Sequence, residues 1–248
     1  MTRLFFDIET IPCDEAGKAI YLEIQKAKDE KKKKKKSQDS ARESTGLSPA
    51  GMTEVDLSFE ETIKAAKEEI TLSEEDEDEL IRKTALDGTH GRICCIGVIW
   101  EDDLGRSHSE VISGEEKDIL ERFWKISQTV DVFIGHNVFN FDFPFIYQRS
   151  IINGVKPREL SFAKYRNNPI YDTMQEWNKW ANGSAQYKSL DTLAKVLGFP
   201  TSKDDMDGSM VWDYYQEGKI EEICTYCMKD VELTRKIYYK MTFKELAP

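Results

Sequence analysis

Near the start of the chain, residues 3–9 read RLFFDIE. Side chains alternate along a strand, so Leu4, Phe6 and Ile8 point one way while Phe5, Asp7 and Glu9 point the other. Apolar residues on both faces demand cover on both, which predicts a central strand with elements packed above and below it. The same alternation sets Asp7 and Glu9 side by side. Two arrangements satisfy that pair. Either the strand ends early and both acids are solvated, or both are buried. In the second case unpaired like charges are costly, and a cation between them resolves the conflict.

Residues 13–90 change character. Stretches 16–30 and 59–86 have helix-compatible composition, residues 54–79 are dense in Asp and Glu, and the Ser, Gly and Pro residues around 37–53 predict a flexible loop. The hexalysine Lys31–Lys36 reads as a solvated, disordered charge run, because like charges repel and resist burial; the alternative is a nucleic-acid contact. At 248 residues the chain suits one domain carrying a large insertion. We therefore expect a single domain over 1–248, with 13–90 a charged, partly helical or flexible insertion that offers a surface to a protein partner.

From Gly91 the pattern becomes regular. ICCIGVIW (93–100) and SHSEVIS (107–113) predict two strands of a hairpin, 115–127 a helix, 130–134 a short strand, and the region of Asp142 a second helix. Beyond about 173 the chain reads as helical, with Ser189 capping SLDTLAKVL, a helix at 209–217, and a long helix from 219 to about 241. Strands alternating with helices predict an α/β fold with a mixed sheet.

Two more acids stand out. Asp142 lies in GHNVFNFDFPFI (135–146), just before Pro144; it is either an ordinary helix cap or an acid at a strand end amid aromatic residues suited to stacking on bases. His136 in this turn reads equally as a loop contact or as a catalytic residue. Asp230 lies in the stripe Ile223, Tyr226, Asp230, Leu233, Ile237, whose spacings of three and four mark one apolar helix face. An acid there is either paired with Arg or Lys or put to chemical use, and Tyr226, one turn earlier, projects from the same face. Asp172 and Asp191 are read as helix caps, the alternative being additional acids that face the site.

The net charge is −11, which argues against capture of nucleic acid by the whole surface, since phosphate binding relies on Lys and Arg. A site that holds divalent cations between carboxylates is itself acidic, so the charge does not exclude such a site. Five cysteines, two of them adjacent, argue against a disulfide framework, and Cys224-x-x-Cys227 has no second pair of like spacing for a zinc ribbon. No apolar run approaches the roughly 20 residues of a membrane span, and Asp7 and Glu9 interrupt any signal-like core, so we expect a cytoplasmic protein with no membrane partner.

Taken together, the D-I-E-T of Asp7–Thr10, the N-x-x-x-F-D of Asn137–Asp142 and the Y-x-x-x-D of Tyr226–Asp230 resemble the DEDD exonucleases of the ribonuclease H-like superfamily. The tyrosine, and segments such as YCMKDVELT, resemble the proofreading-type branch related to family B DNA polymerases. The branch that uses a histidine would place it at position 225, which is Thr225 here.

This resemblance implies a ribonuclease H-like fold and 3′-to-5′ hydrolysis of nucleic acid, with single-stranded DNA ends favoured. It further implies two Mg²⁺ or Mn²⁺ ions, Asp7 serving both, Glu9 and Asp230 completing one site and Asp142 supporting the other. Tyr226 would orient the attacking water, while Thr10, Ile11, Asn137 and Phe141 would meet the terminal nucleotide. The alternatives are an exoribonuclease and, from another class, a non-catalytic nucleic-acid-binding or scaffolding module.

Overall fold

The computed structural model describes residues 1–44, 74–104, 106–160, 169–181, 187–202 and 206–245, without the side chains of 36–44 and 74. Its five strands are β1 (Arg3–Ile11), β2 (Arg92–Glu101), β3 (Ser107–Ser113), β4 (Val132–Gly135) and β5 (Ile170–Asp172), and they form one mixed sheet in the order β3-β2-β1-β4-β5. The expected RLFFDIE strand is the central one. It pairs antiparallel with β2 from Arg3↔Glu101 to Ile11↔Arg92, and parallel with β4 only from Arg3↔Val132 to Phe5↔Ile134. Asp7 and Glu9 therefore lie beyond the end of β4, where the strand edge is open to an incoming loop.

The helices are α1 (Glu15–Ser44), α2 (Glu74–Lys83), α3 (Glu116–Ser127), α4 (Asp142–Ile152), α5 (Thr173–Trp177), α6 (Leu190–Leu197), α7 (Val211–Gln216) and α8 (Ile220–Thr242). Both faces of β1 are buried, as its alternation predicts. Leu4, Phe6 and Ile8 join Phe123 of α3 and Phe143 and Ile146 of α4, with the Phe6 and Phe143 rings edge-on at 5.0 Å. On the other face Phe5 packs with Val231, Tyr238 and Tyr239 of α8. Helix α8 is also tied at its C-terminal half: Glu101, at the end of β2, accepts from Arg235 Nε at 2.7 Å and from the Tyr239 hydroxyl. This α/β arrangement, a mixed sheet flanked by helices, is the one that the ribonuclease H-like resemblance implies.

The pairing of β1 with β2 contains one irregularity. The register shifts between Glu9 and Thr10: Glu9 opposes Cys95, Thr10 opposes Ile93, and Cys94 is the extra residue of a β-bulge. A bulge breaks the alternation for one residue, so Cys94 and Cys95 both face α8 while Ile93 and Ile96 face α3 and α4.

By its contacts the chain divides into two compact units, Met1–Cys13 with Arg82–Pro248, and Asp14–Ile81. Within the second, α1 runs continuously to Ser44. This corrects two expectations: the hexalysine is helical rather than disordered, with Lys31–Lys35 exposed, and residues 37–44 are helix rather than loop. Lysine is a good helix former, and crowding of like charges costs an exposed helix only about 0.2–0.5 kcal/mol per pair, too little to break it. The rest of the expected loop, 45–53, and the 59–73 part of the expected second helix lie outside the described residues.

Candidate active site

Beyond Phe5 the β1 edge is met by the loop that follows β4. The chain turns sharply at Gly135, where an added Cβ would stand 1.9 Å from Val138 Cγ1 and 3.1 Å from the Phe6 carbonyl, so only glycine fits. Asn137 takes a left-handed conformation at φ 62°. Asp172, fully buried at the end of β5, fixes this loop. Its Oδ1 accepts from the Asn137 N–H and its Oδ2 from the Phe139 N–H, each at 3.0 Å, while Oδ1 also caps α5 through the N–H groups of Met174 and Gln175. The cap reading of Asp172 thus describes half of what it does.

The loop delivers Asp142 as the first residue of α4, 3% exposed. Asp142 does not cap that helix. The cap position is Phe141, without a side-chain bond, and the Asp142 carboxylate instead accepts from the Ile8 backbone N–H on β1. Burial pushes its carboxyl up to about 8 against the pull of its backbone hydrogen bonds.

The third segment is α8, whose predicted stripe is buried throughout, from Ile223 at 0% through Asp230 at 8% to Ile237 at 0%. The Tyr226 hydroxyl donates to Asp230, and burial first, then the negative charge of Asp230, Glu9 and Asp7, raises the phenol well above its ordinary range. Asp7 is itself raised by burial, then by Cys227 and by Asp142, Glu9 and Asp230; Glu9 is raised by burial, then by Cys227, Cys94, Asp230 and Asp142. The four carboxylates therefore converge from β1, α4 and α8 upon one small volume. Among the described residues no lysine or arginine stands in ion-pair range of Asp7, Glu9 or Asp142.

Half-buried Asp7 and buried Glu9 and Asp142, which repel one another with no lysine or arginine among the described residues in ion-pair range, form a donor set suited to hard divalent cations, which prefer oxygen ligands. The residues present fit Mg²⁺ or Mn²⁺. One member departs from an all-oxygen set: ligand atoms of Asp7, Glu9 and Cys227 lie within 4.8 Å of one another. The sequence offered Cys227 only as half of a C-x-x-C. Its position next to Tyr226 on the helix was the available signal.

The residues expected to meet a nucleotide are differently disposed. The Thr10 hydroxyl donates to the Ala85 carbonyl at 2.7 Å, and the Ile11 side chain is 2% exposed within an apolar cluster, which leaves only its backbone to face a ligand. Asn137 Oδ1 accepts from Asn140 Nδ2 at 3.2 Å, and Phe141 is half-buried against Phe145. His136 is a loop contact, its ring nitrogens bonded to the Thr173 hydroxyl and the Lys188 carbonyl; burial lowers it to about 4, so it is neutral at physiological pH. Asp191 lies outside the cluster and pairs with Lys195 one turn along α6, where Ser189 is the cap. Tyr226 itself borders an open hollow of about 360 Å³ whose lining includes Tyr214 and the charged Glu221, Glu222 and Lys229.

Residues 86–245 match the family described as a predicted 3′-5′ exonuclease related to the exonuclease domain of PolB. The chain belongs to this family. Over 164 residues it is also 26% identical to DNA polymerase 120R of Invertebrate iridescent virus 3, an alignment that takes in 51% of this chain and 14% of that polymerase. The family match contains Asp142, Tyr226 and Asp230. Asp7 and Glu9 precede it, and it is the fold that brings β1 to the centre of the same sheet. Membership makes this an exonuclease-type domain. Among the described residues no helix is long and apolar enough to cross a membrane.

Proposed function

We propose that the chain is one 3′-to-5′ exonuclease domain, interrupted after β1 by residues 13–90, that removes nucleotides from single-stranded DNA 3′ ends as 5′-monophosphates. The observation that carries this reading is the convergence of Asp7, Glu9, Asp142 and Asp230 at the end of β1 that β4 leaves unpaired, with the Tyr226 hydroxyl donating to Asp230. Asp7 would serve two Mg²⁺ or Mn²⁺ ions, with Glu9 and Asp230 completing one site and Asp142 supporting the other. Such ions, when bound, supply charge neutralisation at the phosphate and activation of water.

The protein groups have distinct tasks in this scheme. Tyr226 keeps its proton at physiological pH, so it does not act as a base; its one O–H, given to Asp230 in the cation-free site, would turn to a water or a phosphate oxygen when the Asp230 carboxylate is engaged by a cation. The N–H bonds that Asp172 accepts from Asn137 and Phe139 hold the loop that sets Asp142 against β1. The open hollow beside Tyr226 is the opening we assign to a strand end, and the resemblance to a viral DNA polymerase favours DNA.

The test uses 5′-labelled single-stranded oligonucleotides of one sequence as DNA and as RNA, with Mg²⁺ or Mn²⁺. DNA should give a descending ladder that vanishes with Asp7→Ala, with Asp230→Ala and in excess chelator. Equal activity in those variants would sink the mechanism, and a faster ladder on RNA would replace the substrate assignment by an exoribonuclease.

A further inference from the structure

Four of the five cysteines meet on one side of the sheet although they lie in two pairs far apart in the chain. The bulge turns Cys94 and Cys95 toward α8, and Cys224 and Cys227 face them across a cluster shared with Ile11, Ile223 and Tyr226. Cys95 is fully buried, with the thiols of Cys224, Cys227 and Cys94 around it. Cys224 is the half-exposed member, bonded to Cys95 and Ser113. Cys227 points elsewhere, toward the carbonyl and carboxylate of Asp7. All five cysteines are reduced.

We propose that Cys224 and Cys95 form an oxidation site, in which Cys224 is attacked by a hydroperoxide such as hydrogen peroxide and Cys95 resolves the product into a disulfide joining α8 to β2. Thiol oxidation follows exposure and thiolate character, and Cys224 has both. The bonds from Cys95 and Ser113 hold its thiol down to about 7 despite partial burial. In the first step the Cys224 sulfur takes the distal peroxide oxygen, the O–O bond breaks and water leaves. The sulfur is then a sulfenic acid, oxidised by two electrons. In the second step the Cys95 sulfur attacks that sulfur, its proton passes to the sulfenic oxygen, the S–O bond breaks and a second water departs. Two thiols and one hydrogen peroxide give one disulfide and two waters.

The new bond would draw the first half of α8 toward β2, and Tyr226 follows Cys224 by two residues. Its effect on turnover rests on the nuclease reading; its formation does not. The whole chain is exposed to equimolar hydrogen peroxide at neutral pH, alkylated and mapped by mass spectrometry without reduction. The expected result is a peptide pair linked through Cys95 and Cys224, absent in Cys224→Ser and released by dithiothreitol. Nuclease turnover should fall in step with the link, and should be retained under peroxide in Cys224→Ser and in Cys95→Ala. A link through Cys94 or Cys227, a sulfinate at Cys224 with Cys95 still alkylatable, or no oxidation at all would each overturn the proposal. A mapped Cys95–Cys224 link in a chain with no nuclease activity would instead sink the nuclease reading and leave the oxidation site standing.

Discussion

The sulfur of Cys227 lies 3.8 Å from Oδ2 of Asp7, which places a soft donor within an otherwise hard set of ligands. Thiolates select zinc and cadmium over magnesium. Cadmium should therefore inhibit Mg²⁺-supported cleavage in the wild type, and Cys227→Ala should shift the inhibition curve to higher cadmium relative to its own uninhibited rate. Overlapping curves for the two proteins would show that the sulfur takes no part in cation binding.

Asp142 gives the cation-free protein a pH-dependent stability. Its folded value, about 8, lies above its ordinary 3.8, so between these the folded state holds a proton that the unfolded chain has released. The stabilisation is complete below about 4 and is lost as pH rises toward 8. In chelator, the melting temperature should fall across this window, and Asp142→Asn should flatten the fall and melt higher than wild type at pH 8. Added Mn²⁺ should raise the wild-type melting temperature more at pH 8 than at pH 5, because it binds the charged form. A parallel slope in Asp142→Asn would contradict the assignment.

Asp172→Ala removes the acceptor for N–H groups of Asn137, Phe139, Met174 and Gln175. Leaving buried donors unmet costs on the order of 1–3 kcal/mol, read from denaturant unfolding. Because two of these donors belong to the loop before Asp142, cleavage should drop by more than the unfolded fraction accounts for. Asp172→Asn, which keeps one acceptor oxygen, should recover part of both losses.

At Gly97 α8 lies close against the sheet. A Cβ there would stand 3.0 Å from both Cys227 Sγ and Val231 Cγ2. Gly97→Val should destabilise the domain by about 1–3 kcal/mol, as overpacked cores do, and lower turnover by lifting Tyr226 and Asp230 from β1. The comparison with Gly208→Val, at a glycine with open space around it, separates packing from the general effect of replacing a glycine.

What was legible in the sequence was whatever depends on a fixed period. Two-residue alternation placed Leu4, Phe6 and Ile8 opposite Phe5, Asp7 and Glu9, and three-four spacing placed Asp230 inside the buried stripe of α8. Ser189 as a cap needed only local chemistry. The bulge at Cys94 was not legible, because one extra residue reverses a face without altering composition. Nor was the second role of Asp172, whose loop partners lie more than thirty residues earlier in the chain. At Lys31–Lys36 helix propensity outweighs the charge repulsion that predicts disorder.

The place of β1 in the sheet has a consequence for synthesis. Its first partner in the order of translation, β2, pairs Ile11 with Arg92, and the cluster around Asp7 closes only with Asp230 on α8. At about 5–20 residues added per second, the first two acids leave the ribosome roughly 10–40 seconds before the last. A nascent or truncated chain that stops short of α8 holds neither Tyr226 nor Asp230, so the full set of acids comes together only in a chain made through to that helix.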